Sequence, residues 1–351
     1  MKKSLLILFF FLMTVLFSSG CARKIYEIAY PTLNDGKYDS EFPYKSASKE
    51  LEQISETVKK LTSIAYYKSY VFSRESRVVM NDIVNDIYTR KVSEEIFYNS
   101  SVIGTATVLS YTNKRVILLT CAHVVDFPDT VITYYDIPGE PKHRFIQSVS
   151  FKKRQSNYIA EFPEKGELEI LAIDKALDIV LLGKTFYQTP TMQIPVFSYP
   201  MGKSRELDWG TFVYLVGYPK GYQMVTKGIV SQPNRDKNGS YIVDALFNRG
   251  FSGGIVLAIK DGVPNFELVG IAGSVSADFE YYITPPPDIG QMGYDPRLPY
   301  KGDVYIQFQK EINYGITFVI STEEILSFIK ENQSALRDKG YDLGSLLAKF
   351  K

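Results

Sequence analysis

From Val102 onward the chain reads as short apolar, β-branched runs separated by turn residues. The runs are GTATVLS, RVILLTCAHVV, LEILAID, DIVLLGK, TFVYLVGYP, QMVTKGIVS, YIVDALF, GIVLAIK, FELVGIAGSVS and ITFVIS. Runs of that length and content predict strands, and Tyr111-Thr112-Asn113-Lys114 between the first two is a hairpin signal. Many short strands with few helical stretches predict an all-β class, a sandwich or a barrel. Upstream, SKELEQISETVKKL sets Leu51, Ile54, Val58 and Leu61 on one helical stripe with Ser48 as N-cap, and Ser63–Phe72 reads as a strand. Residues 76–98 fit no single period. A late helix opens at STEEILSFIKENQ, where Ser321 and Glu324 make a capping box. Between two confident strands, 277–313 is rich in Tyr and Pro (YYITPPPDIGQMGYDPRLPY), a loop long enough to be functional or disordered.

The N-terminus follows a different pattern. Met1-Lys2-Lys3, an apolar core from Leu5 to Phe17, and Ser18-Ser19-Gly20 form secretory signal architecture, too short for a comfortable membrane span. SSGC resembles the lipobox of bacterial lipoproteins, with Ser18 where an aliphatic residue is usual. That resemblance implies a signal peptide over 1–20 and a lipid-modified Cys21 that anchors the protein in a bacterial envelope membrane. Ala22 after the cysteine favours the outer one. Residues 21–45 then read as a polar tether.

Composition narrows the rest. Lys plus Arg number 40 and Asp plus Glu 39, so nothing concentrates the basic charge that a nucleic-acid partner needs. With Cys21 acylated, the other of the two cysteines, Cys121, has no intrachain partner, and stability must come from the core. Two histidines make a zinc site improbable, and no metal or cofactor is expected.

NRGFSGG, Asn248 to Gly254, fits two nucleophile patterns: the G-x-S-x-G elbow of α/β-hydrolases and the G-x-S-G-G loop of trypsin-like proteases. A serine hydroxyl needs a base and a carboxylate to orient it. Both histidines, His123 and His143, precede Ser252, and the elbow requires the order Ser, acid, His, so that reading fails. His123 ends the apolar run LLTCAHVV, where a base can be held rigidly at a cleft. His143, in PGEPKHRF, reads as a solvated loop residue. For the acid, Asp178 opens the apolar run DIVLL, where a carboxylate needs hydrogen bonds to be tolerated. Asp174 is the competitor, with an exposed turn as its simpler reading.

In this order TCAHVV, DKALDIVLL, VYLVGYPKGYQMVTKGIVS and DALFNRGFSGG resemble the trypsin-like serine proteases of bacterial envelopes, the HtrA/Deg type, over roughly residues 60–332. The resemblance implies two six-stranded antiparallel β-barrels with an N-terminal and a C-terminal helix, the protease domain spanning 46–335 and a tail at 336–351. It makes His123 the general base, Asp178 its orienting carboxylate and Ser252 the nucleophile. The Gly250 and Ser252 N–H groups become the oxyanion hole and Leu246 the floor of the specificity pocket, a setting for apolar rather than basic side chains.

The chain also departs from that family. Phe251 stands where the Deg type has Asn and digestive proteases have an Asp that pairs with a freed N-terminus, so activation by that pairing is not expected. Cys121 replaces a small Ala and reads as a small buried hydrophobe. The family's PDZ domain is not expected in the residues after ITFVISTEEILSFI. The insertion at 277–313 is a lid, a substrate platform or a surface loop. The resulting expectation is a lipid-anchored envelope serine endopeptidase acting on protein or peptide substrates. The alternative is a catalytically silent binding module of the same fold.

Overall fold

The computed structural model describes residues 34–135, 141, 144–285, 295 and 297–348. The signal peptide, Cys21 and His143 lie outside the described residues. Helix α1 (Ser48–Thr57) is shorter than its stripe implies. The chain turns extended at Val58, and Val58 and Leu61 are buried in strand β1 (Val58–Phe72), not on the helix. From Leu61 the burial alternates with period two, and β-branched and aromatic residues follow, so the strand wins over the helix. The N-cap is Ala47 rather than Ser48, with no side-chain cap bond. Residues 76–98 resolve into a five-residue helix α2 (Met80–Val84) and the start of β2 (Val92–Thr112).

The expected hairpin joins β2 to β3 (Arg115–Cys121), with Asn113 and Lys114 both at positive φ, 50° and 62°, the pair of left-handed residues that a tight hairpin uses. Strands β4 (Thr130–Tyr134), β5 (Ile146–Tyr158), β6 (Glu167–Asp174) and β7 (Ile179–Thr185) follow. The sheet runs β1-β2-β3-β7-β6-β5-β4, and a further β1–β5 pairing closes six of these strands into a barrel with β4 outside on β5. Strands β8 (Phe212–Gly217), β9 (Met224–Gln232), β10 (Tyr241–Val243), β11 (Ile255–Ile259), β12 (Phe266–Thr284) and β13 (Tyr305–Ser321) close the second barrel in the order β10-β13-β12-β11-β8-β9. All these pairings are antiparallel, so the two-barrel expectation holds.

One buried cluster joins the barrels, running from Leu119 and Cys121 of the first to Val216 and Ile255 of the second. Helix α3 (Thr322–Asp338) begins as expected, the Ser321 hydroxyl accepting the Glu324 N–H at 3.2 Å. It packs Ile325, Leu326 and Ile329 into that same cluster. The tail is docked as well: Tyr341, Leu343 and Leu346 of the stretch that includes α4 (Gly344–Ala348) are buried, and the Tyr341 hydroxyl donates to Glu169 at 2.7 Å. So is the described end of the tether. Tyr38 bridges Lys260 and is buried, and the Asp39 backbone bonds Ile259 and Phe212.

The insertion differs most from expectation. Its two ends are not loop but strand: β12 and β13 stay paired from Ala277↔Ile312 out to Thr284↔Tyr305 as a two-stranded arm beyond the barrel. No helix among the described residues is long and apolar enough to cross a membrane.

Candidate active site

β3 ends at Cys121, and the chain makes one tight turn, Ala122–Val124, that places His123 at the rim of barrel one. Directly beside it, the β6–β7 turn carries Asp178 at φ 58°. That left-handed conformation is tolerated by Asp better than by most residues, and here it turns both carboxylate oxygens toward the histidine. Oδ2 lies 2.7 Å from His123 Nδ1, and Oδ1 accepts the His123 backbone N–H at 2.8 Å. The Asp178 carbonyl accepts the Ala122 N–H at 3.1 Å. Three bonds thus clamp the histidine turn onto the aspartate, with Nδ1 occupied and the other ring nitrogen left for chemistry. The side chains are 45 % and 29 % exposed, so the acid is half-buried rather than sealed, and the histidine faces solvent.

Asp174, the competing acid, does something else. Its Oδ1 accepts the Ala176 and Leu177 N–H groups at 2.8 and 2.9 Å and so caps the turn that leads to Asp178. Cys121 is fully buried, its thiol donating to the Ala272 carbonyl at 3.4 Å, and burial first, then the nearby Asp178 charge, holds it protonated. Cys121, His123 and Asp178 offer ligand atoms within 4.8 Å of one another. A protonated thiol and a ring nitrogen already taken by the carboxylate make this a poor metal site.

Barrel two brings Ser252 on the loop between β10 and β11. Two turn bonds shape the loop, Phe251 N–H to Asn248 O at 3.0 Å and Gly254 N–H to Phe251 O at 2.7 Å. Gly250 sits at φ 105°, and a Cβ there would collide with the Tyr218 carbonyl oxygen, so only glycine fits. The carbonyl of Arg249 is held by the Lys220 N–H at 2.7 Å. In a planar trans peptide the N–H points opposite to the carbonyl, so this bond aims the Gly250 N–H away from Lys220. Among the described residues neither the Gly250 nor the Ser252 N–H donates to any acceptor. Two backbone donors on one loop, two residues apart and both unpaired, are what an oxyanion would need.

Phe251, where the sequence departs from the pattern it resembles, is 1 % exposed. Its ring sits 6.0 Å from that of Phe247 and over Gly217, where a Cβ would meet it. The ring therefore anchors the loop from below by packing. Leu246, expected at the floor of a pocket, is 58 % exposed, while Phe247 beside it points into the core.

The structure joins His123 to Asp178 directly, while the Ser252 backbone is bonded to Thr105 of barrel one and not to either of them. The Ser252 hydroxyl makes no hydrogen bond to His123, but its loop is docked where His123 departs. The Ser252 carbonyl accepts the Thr105 N–H at 2.8 Å, and the Gly253 N–H donates to Ala272 O at 2.9 Å, the carbonyl that Cys121 also contacts. Gly253 lies so close to β2 and β3 that a Cβ would run into the Thr105 carbonyl and Thr120.

Sequence reasoning misses Thr105. Its hydroxyl donates to the Gly250 carbonyl at 2.7 Å and accepts the Tyr218 N–H at 2.9 Å, while its carbonyl accepts the Thr120 hydroxyl at 2.6 Å. This one buried side chain of barrel one ties together the two segments of barrel two that frame the loop. In GTATVLS it looks like any β-branched strand residue, and no local signal marks it.

Residues 104–271 match the family model of the trypsin-like peptidase domain. The matched span begins one residue before Thr105, ends before the arm, and contains His123, Asp178, Gly250 and Ser252. With the two closed barrels, it supports a trypsin-fold serine protease. No curated protein matches the chain.

Proposed function

We propose that this chain is a serine endopeptidase of the bacterial cell envelope, held at a membrane by a lipid on Cys21. The observation that carries the catalytic reading is the clamped His123–Asp178 pair beside a loop whose Gly250 and Ser252 N–H groups are unpaired among the described residues. Ser252 Oγ attacks the carbonyl carbon of a peptide bond as its proton passes to His123 Nε2. Asp178 keeps the proton on Nδ1 and stabilises the imidazolium. The oxyanion takes hydrogen bonds from Gly250 and Ser252 N–H, each such donor worth roughly 10²–10³ in turnover. The C–N bond breaks as His123 returns its proton to the leaving amine, and water, deprotonated by the same histidine, clears the acyl-enzyme. With Leu246 rather than a carboxylate at the position the resemblance gives to the pocket floor, the reading favours an apolar side chain before the scissile bond. The chemistry requires no cofactor.

Covalent labelling with a fluorophosphonate probe, read on membrane and soluble fractions, tests both halves. The expected outcome is a labelled wild-type band in membranes, no label on Ser252→Ala or His123→Ala, and a labelled Cys21→Ala protein released to the soluble fraction. A folded wild type that takes no probe sinks the enzyme reading and leaves the silent binding module. Cys21→Ala that stays with membranes overturns the anchor.

A further inference from the structure

The arm begins at the candidate nucleophile. β12 leaves β11 at Ile271, and Ala272 bonds both ways with the serine loop, its N–H to the Gly254 carbonyl at 2.7 Å and its carbonyl to the Gly253 N–H. From Gly273 to Thr284, β13 covers one edge of β12, and no described strand pairs with the other. An open backbone edge therefore starts at the Ser252 loop and leads outward along the arm. Two bulges, at Ala272/Ser274 and Val275/Ala277, re-aim it near its root.

The faces of the arm differ. Tyr281 opposes Phe308 and Ile283 opposes Ile306, so these four share one face with Phe279, whose ring stacks on Phe308 at 5.2 Å. They are between 52 % and 76 % exposed. The opposite face carries Glu280 against Gln309 and Tyr282 against Gln307. A two-stranded ribbon is marginal in water, and a contiguous exposed apolar face marks an interaction site. A third strand on the open edge would remedy both, supplying ladder bonds and setting every second side chain beside Phe279, Tyr281 and Ile283.

We infer that the arm is an extended substrate platform, its open edge pairing with the peptide segment that precedes the scissile bond. This rests on the peptidase reading. β12 runs away from Ser252, and the barrel is wholly antiparallel, so a strand added in that sense runs toward Ser252. It places the substrate's N-terminal side on the arm. The preferred segment is unfolded, with apolar residues at alternate positions and polar or basic ones between them facing Glu280.

The test separates this from the failure of catalysis, because binding to Ser252→Ala needs no turnover. Fluorescent peptides carrying about ten alternating Val/Lys residues before a common tetrapeptide are compared with the tetrapeptide alone. Further probes carry the same extension after the tetrapeptide, or before it with alternate amides N-methylated. The N-terminal extension should tighten binding about ten- to a hundredfold, the yield of two or three net strand bonds. N-methylation, or the double substitution Tyr281→Thr/Phe308→Thr, should cancel the gain. Fluorophosphonate labelling of the Tyr281→Thr/Phe308→Thr protein with Ser252 intact should be unchanged. Equal affinity for all probes, a gain only from the C-terminal extension, or a gain that survives N-methylation overturns the inference. So does an arm that instead pairs with a second copy, seen as a dimer by light scattering that the double substitution dissolves while peptide affinity stays flat.

Discussion

The two barrels give the site opposite kinds of order. Barrel one holds its residues by direct side-chain bonds: Asp178 spans both the ring and the backbone of His123. Barrel two holds its residue by backbone conformation and packing, in a loop with glycine at 250, 253 and 254, an inward phenylalanine, a Gly250 carbonyl tied to Thr105 of barrel one, and two N–H groups unpaired among the described residues. The same contrast recurs in their outgrowths. In barrel one the far half of the β1–β2 hairpin is broadened by β5 and β4 and underlaid by a small core of Phe72, Val78, Tyr88, Ile146 and Val149. In barrel two the β12–β13 arm has no such layer among the described residues. A pair meant to stay fixed is built from side chains and buried support. A surface meant to receive a chain is left as unpaired backbone.

The sharpest way to break this contrast is Asp178→Asn. The amide can still accept the His123 backbone N–H, so the turn should survive, but the orienting charge on the ring is gone. In serine-protease triads that change costs about 10⁴ in turnover. Here kcat should fall by roughly that factor, with the far-ultraviolet spectrum unchanged. A loss below about tenfold would mean that the clamp is structural and the Asp178 carboxylate contributes no chemistry.

Sequence legibility follows the same division. His123, Asp178 and Ser252 are legible as candidates because each stands in a local motif, and the order of the histidines excludes the elbow. The barrels are legible because the strands alternate with turns over short distances. The sequence overextends α1 because Val58 and Leu61 continue the helical stripe of Leu51 and Ile54, and only pairing with β2, Val58 opposite Thr107 and Leu61 opposite Gly104, makes them strand residues. The arm reads as a loop because its prolines hide the paired flanks, whose register depends on residues far apart in the chain. Thr105 is invisible for a related reason. Its partners, Gly250 and Tyr218, lie more than a hundred positions away.

Thr105→Val tests how the two kinds of order are joined. The substitution keeps the β-branched shape and removes one hydroxyl, leaving the Tyr218 N–H and Gly250 carbonyl without their buried partner. Each orphaned group costs about 1–3 kcal/mol. Thermal unfolding should shift down by several degrees. Probe labelling should slow about ten- to a hundredfold, because the Gly250 carbonyl bond helps set the loop that carries both candidate oxyanion donors. Thr105→Ser, which restores the hydroxyl, should recover the labelling rate. Stability lost with labelling intact would make Thr105 a packing residue with no part in positioning the loop.

The smallest expected effect concerns how barrel two acquires its N-terminal stitch. The Asp39 carboxyl is raised to about 6, chiefly by burial, against the Gly262 N–H that it accepts at 3.1 Å and with help from nearby Glu41, Asp261 and Asp35. A raised acid holds its proton better in the folded state. Folding is therefore favoured by this group at low pH, and the advantage fades as pH climbs from the unfolded value near 4 through 6. The group is half-exposed, so after discounting for solvent screening the change is about 1 kcal/mol. The Asp39→Asn variant keeps an acceptor for Gly262 without a charge. The stability of wild type relative to this variant should decline between pH 4 and pH 7, measured by denaturant midpoints at each pH. A gap that widens in favour of wild type over that range would mean that the charged carboxylate, held by Gly262, fastens the segment. The stitch on barrel two would then be a side-chain clamp like the one on barrel one, and the contrast between the barrels would not extend beyond the site.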